Sequence, residues 1–98
     1  MYVIRDIFHL PFGHYRDAKT LVDEAHKKNI MPESKSLKFL TDFTGDSYRL
    51  IFEASYDRLA DYEKSLAGAM SQDDWKMCYE KFKTHVRSSH REILKEVM

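Results

Sequence analysis

Five histidines are the residues of this chain best suited to acid-base chemistry or metal binding, because an imidazole can take up or release a proton near neutral pH. They are His9, His14, His26, His85 and His90. His9 and His14 are five residues apart, as are His85 and His90, and this spacing matches no recognised pair of metal ligands. The sequence therefore predicts no metal site.

Two of these histidines, His9 and His90, lie in segments that we predict to be strands with side chains on one face of a sheet. A histidine in such a place can act as a general acid or base if a substrate reaches it. We therefore predict His9 and His90 as catalytic residues, and the alternative is a hydrogen-bonded histidine with a structural role. His14 and His26 fall on a predicted helix, where exposure to solvent is the simpler interpretation.

Arg5, Arg49 and Glu53 are charged residues of the predicted strands. Side chains directly opposite one another on neighbouring strands come into contact, so Arg5 can pair with Glu53. We predict these three as ligand-binding residues: an arginine would hold a carboxylate or enolate oxygen while His90 or His9 moves a proton, as an oxygenase or isomerase requires. The alternative is that the Arg5–Glu53 pair only neutralises charge within a protein interface.

Several classes of function lack their signature in the sequence. There is no GxGxxG, no phosphate-binding P-loop and no nucleophile elbow, which argues against dinucleotide, nucleotide triphosphate and α/β-hydrolase chemistry. Sixteen Lys and Arg balance sixteen Asp and Glu, so no net charge draws the chain to nucleic acid. We expect no cofactor and no nucleic acid partner.

Length, hydropathy and cysteine content indicate the setting in which the chain works. Its 98 residues predict one domain, 1–98. Arg5 and Asp6 interrupt the apolar start, and no stretch reaches the roughly 20 apolar residues of a membrane helix, so we expect neither a signal peptide nor a membrane span. A single cysteine, Cys78, cannot form an internal disulfide and favours a reducing, cytoplasmic compartment.

The first half of the chain has the pattern of a strand, a helix and a hairpin. Residues 2–9 are rich in β-branched and aromatic side chains, and the turn-like LPFG follows them. From His14 to Asn29 apolar residues recur at helical spacing, and Pro32 stops the run. SLKFLTDF and SYRLIFEASY both alternate apolar and polar residues, and the intervening TGDS, residues 44–47, predicts a turn.

The second half begins with a helical region near Asp57 that weakens around Gly68. Ser71 and Asp74 form a capping signature, so the helix is expected to resume there after a kink or short gap. The last residues, SSHREILKEVM (88–98), fit either a continued helix or a fourth strand. We favour a strand over 89–97, because it repeats the order of the first half and covers an edge of the sheet.

These elements predict an α+β fold: a ferredoxin-like βαββαβ arrangement with an antiparallel four-stranded sheet and the helices on one face. The helix-covered face would hold Leu37, Phe39, Phe43, Tyr48, Leu50, Phe52, Ala54 and Tyr56. The opposite face would be mixed, with Val3, Arg5, Ile7, His9, Leu40, Arg49, Ile51, Glu53, Ser55, His90, Glu92 and Leu94. Such a mixed face suits a symmetric homodimer whose two sheets enclose a polar-lined cavity.

The closing sequence FKTHVRSSHREILKEV, after a strand, helix, hairpin and helix, resembles the dimeric α+β barrel superfamily, and its SHRE resembles the NIPSNAP-like branch. The resemblance implies a homodimer whose sheets meet face to face, with ligand cavities lined by the inner sheet faces and often by the helices. Members of the superfamily include cofactor-independent monooxygenases, heme-degrading monooxygenases, isomerases and proteins of no known activity. The fold therefore leaves the function open.

Trp75 and His85 are similar to the aromatic residue and axial histidine that heme-degrading members carry on the second helix. The first strand departs from that group, because this chain has RDIFH where those proteins use an asparagine. The simpler interpretation of Trp75 is an ordinary core aromatic residue.

We therefore predict a homodimeric protein that binds a small organic ligand in a cavity near the inner sheet face. In one interpretation it is a cofactor-independent monooxygenase or isomerase. In the alternative it is a non-catalytic binding or structural dimer module, and a heme-degrading monooxygenase is the less favoured third interpretation.

Overall fold

The computed structural model of the chain describes residues 1–44 and 48–98. Within these ranges it contains, in order, β1 (Tyr2–His9), α1 (Tyr15–Lys27), β2 (Ser36–Thr41), β3 (Arg49–Tyr56), α2 (Leu59–Met70), α3 (Asp73–Lys83) and β4 (Ser88–Lys95). The strands form an antiparallel sheet in the order β2-β3-β1-β4. The predicted ferredoxin-like fold is confirmed, with its second helix divided into α2 and α3.

The C-terminal segment forms a strand, so the strand prediction is confirmed and the helical alternative is wrong. β4 pairs with β1 along its whole length, from Tyr2 opposite Lys95 to His9 opposite Ser88. This pairing satisfies backbone groups that β1 would otherwise expose at a sheet edge. The strand begins one residue and ends two residues before the predicted bounds.

α1 ends at Lys27, and Pro32 is not what stops it. Asn29 adopts the left-handed conformation, with a φ of 57°. The backbone N–H of Ile30 donates to the carbonyl of Ala25 over 3.2 Å, which satisfies a terminal carbonyl in the Schellman pattern. Asn29 therefore ends the helix, because its short polar side chain tolerates this conformation.

The break between α2 and α3 was predicted, but its capping residue was not. Ser71 does not start α3: its hydroxyl donates to the carbonyl of Gly68 over 2.7 Å, at the end of α2. Gln72 is the N-cap of α3 and has an extended backbone, with φ −97° and ψ 130°. The predicted capping signature is thus wrong by one residue, since the serine hydroxyl satisfies the preceding helix instead.

Aromatic residues join the sheet to the helices. The ring centre of Phe8 on β1 lies 5.0 Å from that of Phe82 on α3 and 5.1 Å from that of Phe52 on β3. Phe39 on β2 continues the cluster, 5.2 Å from Phe52. Edge-to-face contacts at these distances add to the free energy of apolar burial. Phe82 is buried and so anchors α3 on the sheet.

The tip of the predicted hairpin departs from the alternating pattern. Phe43 and Tyr48, expected beneath the helices, lie outside the strands and are exposed. Tyr48 has a positive φ of 67°, which takes it out of strand geometry. Both assignments are therefore wrong, because alternation orients a side chain only while the backbone stays extended. Most of the predicted TGDS turn, residues 45–47, lies outside the described ranges.

No helix of the described residues has both the length and the apolar character needed to cross a membrane.

Candidate functional site

All five predicted site residues lie on the face of the sheet turned away from the helices, which we call the open face. The cross-strand register places Arg5 opposite Glu53 and Glu92, Ile7 opposite Ile51 and His90, and His9 opposite Arg49. Partners in register share a face. The predicted composition of this face is therefore confirmed, and its centre is apolar because Ile7 and Ile51 are buried there.

Arg5 lies at the centre of a charged cluster on the open face. Its Nη2 and Nε atoms donate to Oε2 of Glu53 over 3.1 and 3.3 Å. Its Nη1 atom donates more weakly to Oε1 of Glu92, over 3.5 Å. The predicted Arg5–Glu53 contact is present, and Glu92 is a third member that the pairing argument had not included. Within one protomer, two carboxylates share one guanidinium.

The other predicted residues of the open face lie towards one end of the sheet. The imidazole rings of His9 and His90 are nearly parallel, with centres 6.2 Å apart. The guanidinium of Arg49 donates to the carboxylate of Asp42, with Nη2 to Oδ1 at 2.7 Å and Nε to Oδ1 at 3.1 Å. These bonds lower the pKa of Asp42 below its ordinary value of 3.8. Arg49 is thus engaged in holding the ends of β2 and β3 together.

A cavity of about 530 Å³ lies on the other side of the sheet, between the strands and the helices. β1 and β3 form its floor through Ile4, Phe8 and Phe52, and the helices cover it with residues such as Leu66 and Trp75. Its walls are mainly apolar, and its volume falls within the roughly 300–1,000 Å³ of small-molecule sites. This space can accept a small organic molecule.

Asp6, Arg91 and Tyr62 form one polar group in the lining of this cavity, which also includes the charged residues Lys76, Glu80 and Lys83. The Nε atom of Arg91 on β4 donates to Oδ1 of Asp6 on β1, directly opposite in the register. The guanidinium carbon of Arg91 lies 5.7 Å from the centre of the Tyr62 ring, close to an aromatic face. The Tyr62 hydroxyl is shielded from solvent and makes no hydrogen bond of normal geometry with a described residue.

Burial keeps two protonatable groups of the cavity neutral, the phenol of Tyr62 and the thiol of Cys78. It raises the pKa of the Tyr62 phenol above its ordinary value of 10.0, although the charge of Arg91 opposes the rise. It also raises the pKa of the Cys78 thiol above 9.0. At neutral pH the cavity therefore offers a phenol that can donate a hydrogen bond, an unreactive thiol, and an ion pair whose charges offset each other.

The predicted site residues do not line this cavity. Arg5, His9, Arg49, Glu53 and His90 lie on the opposite side of the sheet. Their ligand-binding and catalytic roles stay a prediction, and they require a second space between two facing sheets. The trio of Asp6, Arg91 and Tyr62 was not predicted from the sequence. The signal that could have revealed it is the charge of Asp6 at an inward-facing strand position, between Ile4 and Phe8.

His14 and His85, assigned separately from the sequence, contact each other. Their Nδ1 atoms are 3.1 Å apart and their ring centres 5.3 Å apart. The ring centres are farther apart than the nitrogens by about two ring radii, so the two nitrogens point at each other along one line, as in an N–H···N hydrogen bond. Two histidines that bind one metal ion would instead direct their nitrogens at a common point beside that line. The pair joins the start of α1 to the end of α3.

This contact bears on the hypothesis that Trp75 and His85 act together at a heme, as in heme-degrading monooxygenases. Trp75 lines the cavity, whereas His85 lies beyond the end of α3 and faces His14. The structure does not bring the two side chains to one site. Across residues 1–44 and 48–98, no group of three or more His, Cys, Asp and Glu side chains is placed to hold a metal ion.

Comparison by sequence identifies no relative of this chain: no family model matches it, and no curated protein matches it. Comparison by structure finds similar proteins. An uncharacterized NIPSNAP domain protein from Burkholderia xenovorans has a TM-score of 0.84 at 11% identity, over 99% of this chain and 95% of that one. A NIPSNAP family protein from Agrobacterium tumefaciens has a TM-score of 0.83 at 19% identity, over 96% and 90% of the two chains.

A second group of similar structures carries a functional name. A protein described as an antibiotic biosynthesis monooxygenase has a TM-score of 0.76 at 13% identity, and the match covers 100% of both chains. At such low identity the likeness concerns the fold. The resemblance seen in the sequence is confirmed at that level: the chain has the ferredoxin-like α+β fold of the NIPSNAP and antibiotic biosynthesis monooxygenase proteins.

Proposed function

We propose that the chain forms a homodimer in the cytoplasm and that each protomer binds a small, mainly apolar organic molecule in the cavity between its sheet and its helices. The observation that carries the binding proposal is the cavity itself. It combines about 530 Å³ of space and apolar walls with a few convergent polar groups, as small-molecule sites do.

The polar groups of the cavity indicate what kind of molecule it takes. Asp6 offsets the charge of Arg91, and Glu80 offsets that of Lys83. Lys76 is then the one charge of the lining without an ion-pair partner among the described residues, so the walls carry little net charge to select a cation or an anion. The Tyr62 hydroxyl makes no hydrogen bond of normal geometry with a described residue, and such a donor is costly to bury alone. A neutral ligand with one hydrogen-bond acceptor, placed near Tyr62 after a small side-chain adjustment, would satisfy it.

Native mass spectrometry on protein purified without added ligand tests this proposal first, because retained molecules show as extra mass. Titration with the neutral fluorophore N-phenyl-1-naphthylamine then measures binding directly. Leu66→Trp fills the cavity and should abolish the fluorescence increase. Leu59→Trp is the matched control on the same helix, because Leu59 is exposed. Equal binding by wild type and the Leu66→Trp variant would remove the cavity as the site.

The homodimer proposal has separate support. The open face has buried isoleucines near its centre and the charged cluster of Arg5, Glu53 and Glu92 beside them, a composition suited to a protein interface. Light scattering after size exclusion should give twice the 11.7 kDa mass of the chain. A monomer throughout the micromolar range would contradict the proposal.

A second candidate is catalysis in the same cavity, as a cofactor-independent monooxygenase or isomerase. Asp6, Arg91 and Tyr62 favour it, because a carboxylate, a guanidinium and a phenol together can hold and move a proton. The likeness to a protein described as an antibiotic biosynthesis monooxygenase also supports it. The test is to incubate the retained ligand with the protein, following dioxygen consumption and the ligand's NMR spectrum. Tyr62→Phe should slow any turnover. A ligand that stays chemically unchanged would contradict catalysis and leave binding as the only role of the cavity.

A further inference from the structure

The pair of His14 and His85 belongs neither to the lining of the cavity nor to the open face. His14 is the N-cap of α1. His85 follows the end of α3, and its backbone N–H donates to the carbonyl of Phe82 over 3.0 Å. Both side chains are half-buried. The pair is therefore part of the packing between two helices.

α1 and α3 meet along a line of contacts that we call the helix seam, defined by His14 with His85 and by Leu21 with Cys78. Sγ of Cys78 donates to the carbonyl of Leu21 over 3.7 Å. Leu21 follows His14 along α1, whereas Cys78 precedes His85, so the two segments run in opposite directions. The two contacts are about two helical turns apart. Leu21 and Cys78 also line the cavity, so the histidine pair closes one end of a seam that continues into the cavity wall.

The geometry of the pair limits how many protons it can hold. With both rings neutral, the Nδ1–H of one ring donates to the bare Nδ1 of the other. The donor ring can take up one more proton at its Nε2 and keep this contact. A proton on the acceptor Nδ1 as well would place two N–H groups and two positive charges across a gap of 3.1 Å. The contact therefore tolerates one imidazolium but not two.

The surroundings of the pair do not offset a second positive charge. No ion pair of the described residues includes His14 or His85. The positive end of the α1 dipole further opposes a charge on His14. Along β1, α1, α3 and the segment before β4, the flanking titratable or charged side chains are His9, Tyr15, Arg16, Asp17, Glu80, Lys81, Lys83 and Arg87. Of the two carboxylates among them, Glu80 is already paired with Lys83.

We infer that the His14–His85 pair is a pH-sensitive switch that holds the helix seam closed at neutral pH and parts it when both imidazoles are protonated. This inference rests on the proposed binding of a small molecule in the cavity, whose affinity the switch would regulate. The parted form holds more protons than the closed form, so a falling pH shifts the population towards it. Parting the seam loosens the wall at Leu21 and Cys78, and the ligand is released.

Titration with N-phenyl-1-naphthylamine at pH 7.5 and pH 5.0 tests the switch. The dissociation constant of the wild type should rise roughly tenfold at the lower pH, a typical coupling between two sites. His14→Gln and His85→Gln each leave a single imidazole, which can be charged without facing another, so both variants should bind almost equally at the two pH values. His26→Gln, at an exposed histidine of α1, is the matched control and should show the wild-type change.

NMR spectroscopy of the histidine rings checks the protonation chemistry without any ligand. Long-range 1H–15N spectra at pH 7.5 should show a hydrogen on Nδ1 of only one of the two rings. Lowering the pH should protonate the pair in two steps, and the contacts across the helix seam should be lost with the second step. This readout keeps the test valid if a glutamine variant fails to fold.

The outcomes separate the switch from the binding proposal. A wild type that binds the fluorophore equally at both pH values would overturn the inference alone, as would glutamine variants that respond to pH like the His26→Gln control. A bare Nδ1 on both rings at pH 7.5 would also overturn it. A wild type that does not bind the fluorophore at pH 7.5 would overturn the binding proposal and this inference together.

Discussion

The Asp42–Arg49 ion pair on the open face should make the free energy of unfolding depend on pH. The guanidinium lowers the pKa of Asp42 below 3.8, so the folded chain binds this proton more weakly than the unfolded chain. The stabilisation is complete above the ordinary pKa and is lost as the pH falls through the lowered one. Asp42→Asn should lower the free energy of unfolding at pH 7 by about 1 kcal/mol.

Urea titrations between pH 7 and pH 2.5 check this expectation. The difference between wild type and the Asp42→Asn variant should shrink below about pH 4, since the wild type then loses the same ionised group. If the difference in the free energy of unfolding between the two proteins stays constant down to the lowest pH, the carboxylate charge of Asp42 contributes nothing to stability.

The hydroxyl of Tyr62 should cost stability, because it is shielded and makes no hydrogen bond of normal geometry with a described residue. Tyr62→Phe removes it without changing the ring and should raise the free energy of unfolding by up to about 1 kcal/mol. Tyr48→Phe, at an exposed side chain, should change it by less than about 0.5 kcal/mol. Calorimetry compares the three proteins, and a clear loss of stability in the Tyr62 variant would indicate a hydrogen bond to that hydroxyl.

Alanine in place of two glycines, Gly13 and Gly68, should change the stability of the protein in opposite directions. Gly13, between β1 and α1, has a φ of 86°, a conformation that a β-carbon disfavours by roughly 1–2 kcal/mol. Gly68 lies inside α2 with open space around it, where alanine is better by roughly 0.5–1 kcal/mol. Gly13→Ala should therefore lower the thermal midpoint and Gly68→Ala should raise it. Two shifts of the same sign would contradict the account of one of these positions.

The elements could be predicted wherever a periodic pattern lies within one continuous strand or helix. The alternation in β1 and β3 predicted both faces of the sheet, and β4 followed from the unpaired edge of β1. The pattern fails where the backbone leaves regular geometry, as at Phe43 and Tyr48. A sequence pattern also does not give the distance between the sheet and the helices. It therefore predicted neither the cavity under α2 and α3 nor its Asp6–Arg91 pair.

For the whole molecule, the proposed dimer implies a stability that depends on protein concentration. The open face leaves Leu40 and Leu94 exposed in one protomer, and association would remove them from water. The thermal midpoint should therefore rise with concentration from the nanomolar to the micromolar range. A wild-type midpoint independent of concentration would argue that the fold gains nothing from association.

The strand order β2-β3-β1-β4 also has a consequence for synthesis on the ribosome. β1 lies inside the sheet and is made before its neighbour β4, which is supplied by residues 88–95. Until that segment leaves the exit tunnel, the nascent chain has a hydrophobic strand with one unpaired edge, which invites pairing with other chains. Contacts such as Arg5 with Glu92 also span 87 residues, and long loops close slowly. The newly made protein should therefore be most prone to aggregation at the step when β4 is still missing.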